Sequence, residues 1–262
     1  MSHLTCSIEA GVAELVLTNP PQNRIDEQTA DELVAAVETI GRSSARAVLV
    51  RAEGRDFCFG GDITTWSDLT NRQLRALFEK YLSAFNRLER LPLLVIAAVQ
   101  GLCAGGGFEL ALRADIIFAG ESARFAHPEQ SLGLVTVLGG VQRVAARAGR
   151  ARAAEWALTS DQVPAAVMAD AGVVNHVVAD DLLLSTARSF AVKIAAGPTR
   201  AHTAHKALLR AWEDGGVTAA DNALFDIAMP LFESDDTRRG LTSATNALRA
   251  GVPRPSLDFT GN

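Results

Sequence analysis

Gly101-Leu-Cys-Ala-Gly-Gly-Gly-Phe-Glu-Leu-Ala-Leu112 decides how this chain is read. The residues before it, Leu93 to Val99, are uniformly apolar, the pattern of a strand covered on both faces. A helix is expected to follow the glycines, running to about Arg113. Three consecutive glycines at the junction permit close approach to the backbone and leave the first helical N–H groups unobstructed. Backed by the helix dipole, such donors suit a negatively charged oxygen. A nucleotide phosphate is disfavoured, because a phosphate loop needs Gly-Lys-Ser/Thr where this chain has Phe108-Glu109. Glu109 lies three residues after Gly106, so its carboxylate shares that helical face. An amide and a carboxylate so arranged make an oxyanion hole with a base. A tight turn with a dipole-favoured first-turn glutamate accounts for the same residues.

Two other segments bear on the choice. Phe57-Cys58-Phe59-Gly60-Gly61-Asp62 follows a short apolar strand at 47–50; Gly61 offers a second exposed N–H, and Asp62 can cap the next turn. Ala126-His127-Pro128-Glu129 supplies a further acid at a proline-stiffened bend. Around these, a hairpin is expected over 4–9 and 12–18, with helices from Asp26 to about Gly41 and from Asn71 to Arg90. A strand is expected over 115–119, short strands near 124 and over 173–178, and helices over 140–159 and 165–171. From 180 to 250 only helices are expected, broken at Gly197-Pro198, Gly215-Gly216 and Ser234-Asp235. Strand–helix alternation followed by helices alone predicts an α/β core over 1–195 and a helical region over 196–262.

The chain has 262 residues, 48% of them apolar and 21% charged, and folds without needing a metal or disulfide staple. A formal charge of −5 excludes an electrostatic case for nucleic acid or an anionic membrane. No apolar run approaches a membrane span. The start shows no secretory pattern, and three cysteines without CxxC spacing argue against a disulfide framework or zinc site. The expectation is a cytoplasmic, metal-free protein.

The order F-C-F-G-G-D, A-G-G-G-F-E-L-A-L-R-A-D-I-I-F-A, F-A-H-P-E-Q-S-L-G-L and L-G-G-V-Q-R resembles the crotonase (enoyl-CoA hydratase/isomerase) superfamily over nearly the whole chain. That resemblance implies a crotonase-like spiral of ββα units ending in helices that trimerise or form a lid, assembled as a homotrimer or homohexamer. It implies an acyl-CoA substrate and no cofactor, coenzyme A being part of the substrate. The thioester oxygen maps to the N–H groups of Gly61 and Gly106. Glu109 and Glu129 match the two glutamates of enoyl-CoA hydratases, with Glu109 expected to activate water and Glu129 to deliver a proton. Substrate contacts are expected from Asn23, Arg24, Phe59, Asp62, Ile63, Trp66, Pro128 and Leu132.

The chain departs from the family pattern at several places. Val135-Thr136 stands where many hydratases have Ile-Pro, Gly61 where alanine is common, Ala244 where the tail has an aromatic, and Arg249 remains of a basic pair. With Ala244 there, Asn23 and Arg24 are expected to carry more of the nucleotide contact. Isomerase, hydrolase and decarboxylase chemistry remain alternatives at this stage, as does an idle acyl-CoA-binding paralogue. Ser131 lies in no G-x-S-x-G elbow. Cys58 and Cys103 read as packing residues, Asp115 as a capping or pairing residue, and His127 as structural or as a tuner of Glu129.

Overall fold

The computed structural model describes residues 1–262. β1 (Leu4–Glu9) and β2 (Val12–Leu17) form the expected antiparallel hairpin. α1 (Glu27–Gly41) starts at Asp26, whose side chain accepts the Thr29 N–H. β3 (Ala47–Ala52), α2 (Asn71–Glu89) and β4 (Leu94–Val99) follow. A capping box between Thr70 and Gln73 starts α2. β5 (Leu102–Ala104) leads into α3 (Gly106–Ala111), then β6 (Ile116–Gly120) and β7 (Arg124–Ala126) into α4 (Gly140–Ala148). Next come α5 (Arg150–Thr159), β8 (Val163–Pro164), α6 (Ala165–Asp170) and β9 (His176–Val178).

The strands form two sheets, β1-β2-β3-β4-β6-β9 and β5-β7-β8. β4 and β6 each lie in the first sheet, and each is followed at once by a strand of the second, β5 and β7, before a helix. This repetition is the spiral of ββα turns. Every pairing in the first sheet after the hairpin is parallel.

Strand periodicity divides the core. Val48, Val50, Val95, Ala97 and Val99 join the large cluster beneath α1 to α3, while Ala47, Leu49, Ile96 and Ala98 face the opposite side. That opposite side is covered by α7 (Leu183–Ala195), whose Ala187, Ala191 and Ala195 recur at four-residue spacing. Small side chains in that stripe let the helix lie close to the sheet. β4, buried on both faces, therefore reads as one unbroken apolar run.

Two expectations need correction, and two strands were not expected. The helix over 140–159 is two helices, because Gly149 between them has φ 82°. The strand over 173–178 is only His176–Val178; Val173 and Val174 are buried ahead of it, their N–H groups donating to the Met168 carbonyl. β5 and β8 are strands too short to carry a periodic signal. In the tail, α8 (Thr199–Ala228) kinks where Gly215 and Gly216 leave helical geometry, and α9 (Asp235–Ala250) starts from a Ser234 cap. The Asp236 carboxylate accepts the Thr260 and Gly261 N–H groups and ties down the C-terminal residues. Asp115 accepts the Val95 N–H and pairs with Lys206 at 2.7 Å, which fastens α8 to the sheet. No helix is long and apolar enough to cross a membrane.

Candidate active site

Gly105, between β5 and α3, has φ 50°, a conformation that side chains with a Cβ rarely adopt. Gly107 is needed for space: a Cβ there would meet Cys58 Cβ at 2.5 Å. The two glycine loops are thereby pressed together, and the Gly61 nitrogen stands 3.5 Å from where a Gly106 Cβ would project. Gly106 opens α3, so its N–H has no intrahelical acceptor. The Ile25 N–H donates to the Gly60 carbonyl and the Asp62 N–H to the Ile25 carbonyl, while the Gly61 N–H between them has no backbone acceptor. Two free amide donors thus border one cavity of about 290 Å³.

Glu109 and Glu129 line the same cavity. Glu109 is buried, and its Oε1 accepts the N–H groups of Leu138 at 2.9 Å and Gly140 at 2.8 Å. Burial, and after it the charge of Glu129, push its pKa up to about 7 against the opposing pull of those amides and Arg113. Glu129 stands on the short 3-10 turn Pro128–Leu132, and one of its oxygens would lie 3.2 Å from a Cβ on Gly105. Burial raises its pKa also. Two carboxyl groups in one apolar recess titrate as a pair, and both are shifted upward.

His127 is buried against Phe108, with ring centroids 4.8 Å apart, and neither ring nitrogen has a hydrogen-bond partner. Burial pushes its pKa down to about 4, so the 3.9 Å approach of Nδ1 to Glu129 Oε2 is not an ion pair at neutral pH. Cys58 and Cys103 are fully buried packing residues; burial raises the Cys58 thiol to about 12, and Cys103 is raised well above its usual value.

Arg24, Phe59, Ile63, Trp66, Pro128 and Leu132 all border the cavity. The Arg24 guanidinium donates to Gln22 and, at 3.2 Å, to the Gly61 carbonyl. Asn23 and Asp62 do not face the cavity. Asn23 is buried with its amide donating to the carbonyls of Glu53 and Asp56, so it braces the turn and is not placed to touch a nucleotide. The Asp62 carboxylate accepts the N–H and hydroxyl of Thr64, closing the local turn instead of reaching a ligand.

The structure also explains Gly61. A Cβ there would meet Trp66 Cζ2 at 2.8 Å, so the indole fills the space an alanine would need. Trp66 is in turn held edge-on against Phe78, at 4.9 Å. Phe78 and Tyr81 on α2, and Val135, Val137 and Leu138 on the loop before α4, complete an apolar wall that the motifs did not point to. Phe78 and Tyr81 lie three residues apart on one helical face, a spacing that carried the signal. The amides of Leu138 and Gly140 carried none, since any residue supplies an N–H.

Outside the cavity, Ala244 borders a second, tail-side cavity of about 250 Å³ together with Arg254 and Phe259. Arg238 pairs with Asp235, and Arg239 approaches Asp236 at 3.9 Å.

A sequence model described as enoyl-CoA hydratase/isomerase matches residues 7–247. Mevalonyl-coenzyme A hydratase of Aspergillus fumigatus is 36% identical over 180 residues, 68% of this chain and 66% of that protein. A Rhizobium meliloti protein named probable enoyl-CoA hydratase is 32% identical over 250 residues, 93% of this chain and 95% of its own. Among solved structures, an enoyl-CoA hydratase subunit from Geobacillus kaustophilus superimposes with TM-score 0.89 at 30% identity, covering 99% of this chain and 98% of that one.

Proposed function

Because the chain belongs to the enoyl-CoA hydratase/isomerase family, we propose that it hydrates a 2-enoyl-CoA thioester to the 3-hydroxyacyl-CoA. The observation that carries this reading is the presence of two carboxyl groups with raised pKa, Glu109 and Glu129, in the cavity bordered by two free amides. The thioester oxygen accepts hydrogen bonds from the Gly61 and Gly106 N–H groups, which polarises the conjugated double bond. Ionised Glu109, held by the Leu138 and Gly140 amides, takes a proton from water as the water oxygen bonds to C3. The π electrons move toward the thioester oxygen, and the two amides stabilise the resulting enolate. Protonated Glu129 then delivers its proton to C2. Water is added as hydroxyl and hydrogen on the same face, and the proton gained by Glu109 replaces the one lost by Glu129.

The pair must hold one proton in total, so turnover falls when acid fills both sites and when alkali empties both. Isomerisation needs only one carboxylate to shuttle one proton, and the second glutamate is what favours hydration. The expected setting is a homotrimer or homohexamer in the cytoplasm, with the tail helices against neighbouring subunits. Exposed Leu209, Trp212, Phe225 and Leu248 support that association. Incubation with crotonyl-CoA tests the reaction: loss of the conjugated thioester absorbance with 3-hydroxybutyryl-CoA as product is expected. Release of free CoA, or binding without turnover, would overturn it.

A further inference from the structure

The turn that holds Glu109 is itself held from behind. The Gly139 carbonyl, at the other end of the peptide unit that carries the Gly140 N–H, accepts from Arg143 Nη1 at 3.1 Å. The Leu138 carbonyl accepts from Arg113 Nη2. Both arginines converge on Glu89 at the end of α2: Arg113 Nη1 reaches Oε2 at 2.8 Å, and Arg143 reaches Oε1 at 2.8 Å and Oε2 at 2.6 Å. Asn86 takes a further bond from Arg113 at 2.6 Å, and the Arg113 side chain is wholly enclosed.

We infer that Glu89, Arg113 and Arg143 form a clamp of positioning residues that sets the 138–140 turn and, through its amides, the Glu109 carboxylate. The inference rests on the hydratase reading only for its activity readout. A bond to a peptide carbonyl polarises the N–H at the other end of that peptide, so Arg143 strengthens the Gly140 bond to Glu109. Glu89 between the arginines offsets their mutual repulsion and keeps both aimed at the turn. No member of the clamp borders the cavity, yet displacement of a reacting group by about 1 Å can cost on the order of 100-fold in rate. The charged or titratable groups facing Glu109 are Glu129 across the cavity, the His127 ring beside Gly140, and Arg113 behind the turn.

Arg143→Met and Arg143→Lys in the full chain separate this role from simple stabilisation. The measurements are kcat and KM for crotonyl-CoA, the dissociation constant of butyryl-CoA, thermal melting, and carbon-13 NMR titration of the glutamate carboxyls, with Glu109→Gln identifying the Glu109 signal. In Arg143→Met, kcat is expected to fall about 10- to 100-fold. Butyryl-CoA binding should hold within about twofold, since Gly61 and Gly106 are untouched, and the Glu109 titration should move above its position near 7. Arg143→Lys keeps the charge and one contact and should fall between. A lowered melting temperature with kcat and titration unchanged would overturn the clamp. If the wild-type protein does not hydrate crotonyl-CoA, the hydratase reading fails, while the NMR titration still decides the clamp: an upward shift upholds it and an unchanged one overturns it.

Discussion

The glycine-rich end of the cavity and the helical tail are built on opposite plans. Gly106 and Glu109 are buried, Gly61 is half-buried beside them, and the Glu109 carboxylate is pinned by two amides. In α8 and α9, Leu209, Phe225 and Leu248 are exposed at 63%, 70% and 82%, and Arg238 and Arg239 of α9 are occupied with aspartates one turn away. One end is pinned by hydrogen bonds within the chain; the other exposes apolar surface. Chemistry that tolerates little displacement belongs at the pinned end, and substitutions should divide accordingly.

The largest effect is expected from Gly106→Pro. Proline is tolerated at the first position of a helix, so the fold has reason to survive while the N–H itself is deleted. A loss of about 1000-fold in kcat/KM is expected, the upper end of the 100- to 1000-fold typical of one oxyanion donor. A steady-state assay with circular dichroism as a folding control checks it. Near-normal turnover would remove the amide pair from the mechanism.

Glu109→Gln and Glu129→Gln come next, each costing more than about 100-fold in kcat while butyryl-CoA still binds. Glu109→Gln should also change stability in a pH-dependent way. The folded pKa of Glu109 is raised, so wild-type stability is full below the unfolded value near 4.3 and is lost as pH rises through about 7. Glutamine does not ionise. The variant is therefore expected to be on the order of 2–3 kcal/mol more stable than wild type at pH 8 and nearly equal at pH 4, by denaturant melts at the two pH values. Equal stability at both would mean that Glu109 is not forced to ionise in a dry site.

How much of this was legible follows from what leaves a mark in a sequence. Unbroken apolar runs marked β3 and β4, because parallel strands are buried on both faces, and the glycine runs marked the loops that meet at the cavity, because only glycine fits those backbones and that spacing. Asn23 and Asp62 were expected as substrate contacts, and polar residues beside a binding loop look alike whether they face a ligand or, as these side chains do, brace the turn. The Glu89–Arg113–Arg143 set was invisible: its members are spread over 54 residues and ordinary in type, and folding alone brings them together. The tail is legible as helices, because Gly215-Gly216 and Ser234-Asp235 mark its breaks.

A medium-sized effect sharpens the contrast within the cavity. Gly61→Ala should lower kcat/KM about tenfold, since the new methyl and the Trp66 indole claim the same space. Trp66→Leu should relieve most of that loss, giving a coupling of about 1 kcal/mol or more in a double-mutant cycle. Independent effects would break the proposed fit. The smallest change is expected from Arg24→Ala at the cavity mouth. Acyl-CoA binding should weaken about two- to fivefold at low salt and less at high salt, by titration calorimetry, as for an exposed charge pair. Unchanged affinity at low salt would take Arg24 out of the nucleotide contact.

The central claim is that two carboxyl groups add the elements of water to a thioester held by two amides. Its most direct test is turnover of crotonyl-CoA in deuterium oxide with NMR and mass analysis of the product. The account predicts 3-hydroxybutyryl-CoA with one deuterium at C2, on the same face as the hydroxyl at C3, and no such product from Glu109→Gln or Glu129→Gln. Deuterium incorporated without a hydroxyl at C3, or hydration that survives both substitutions, would contradict it.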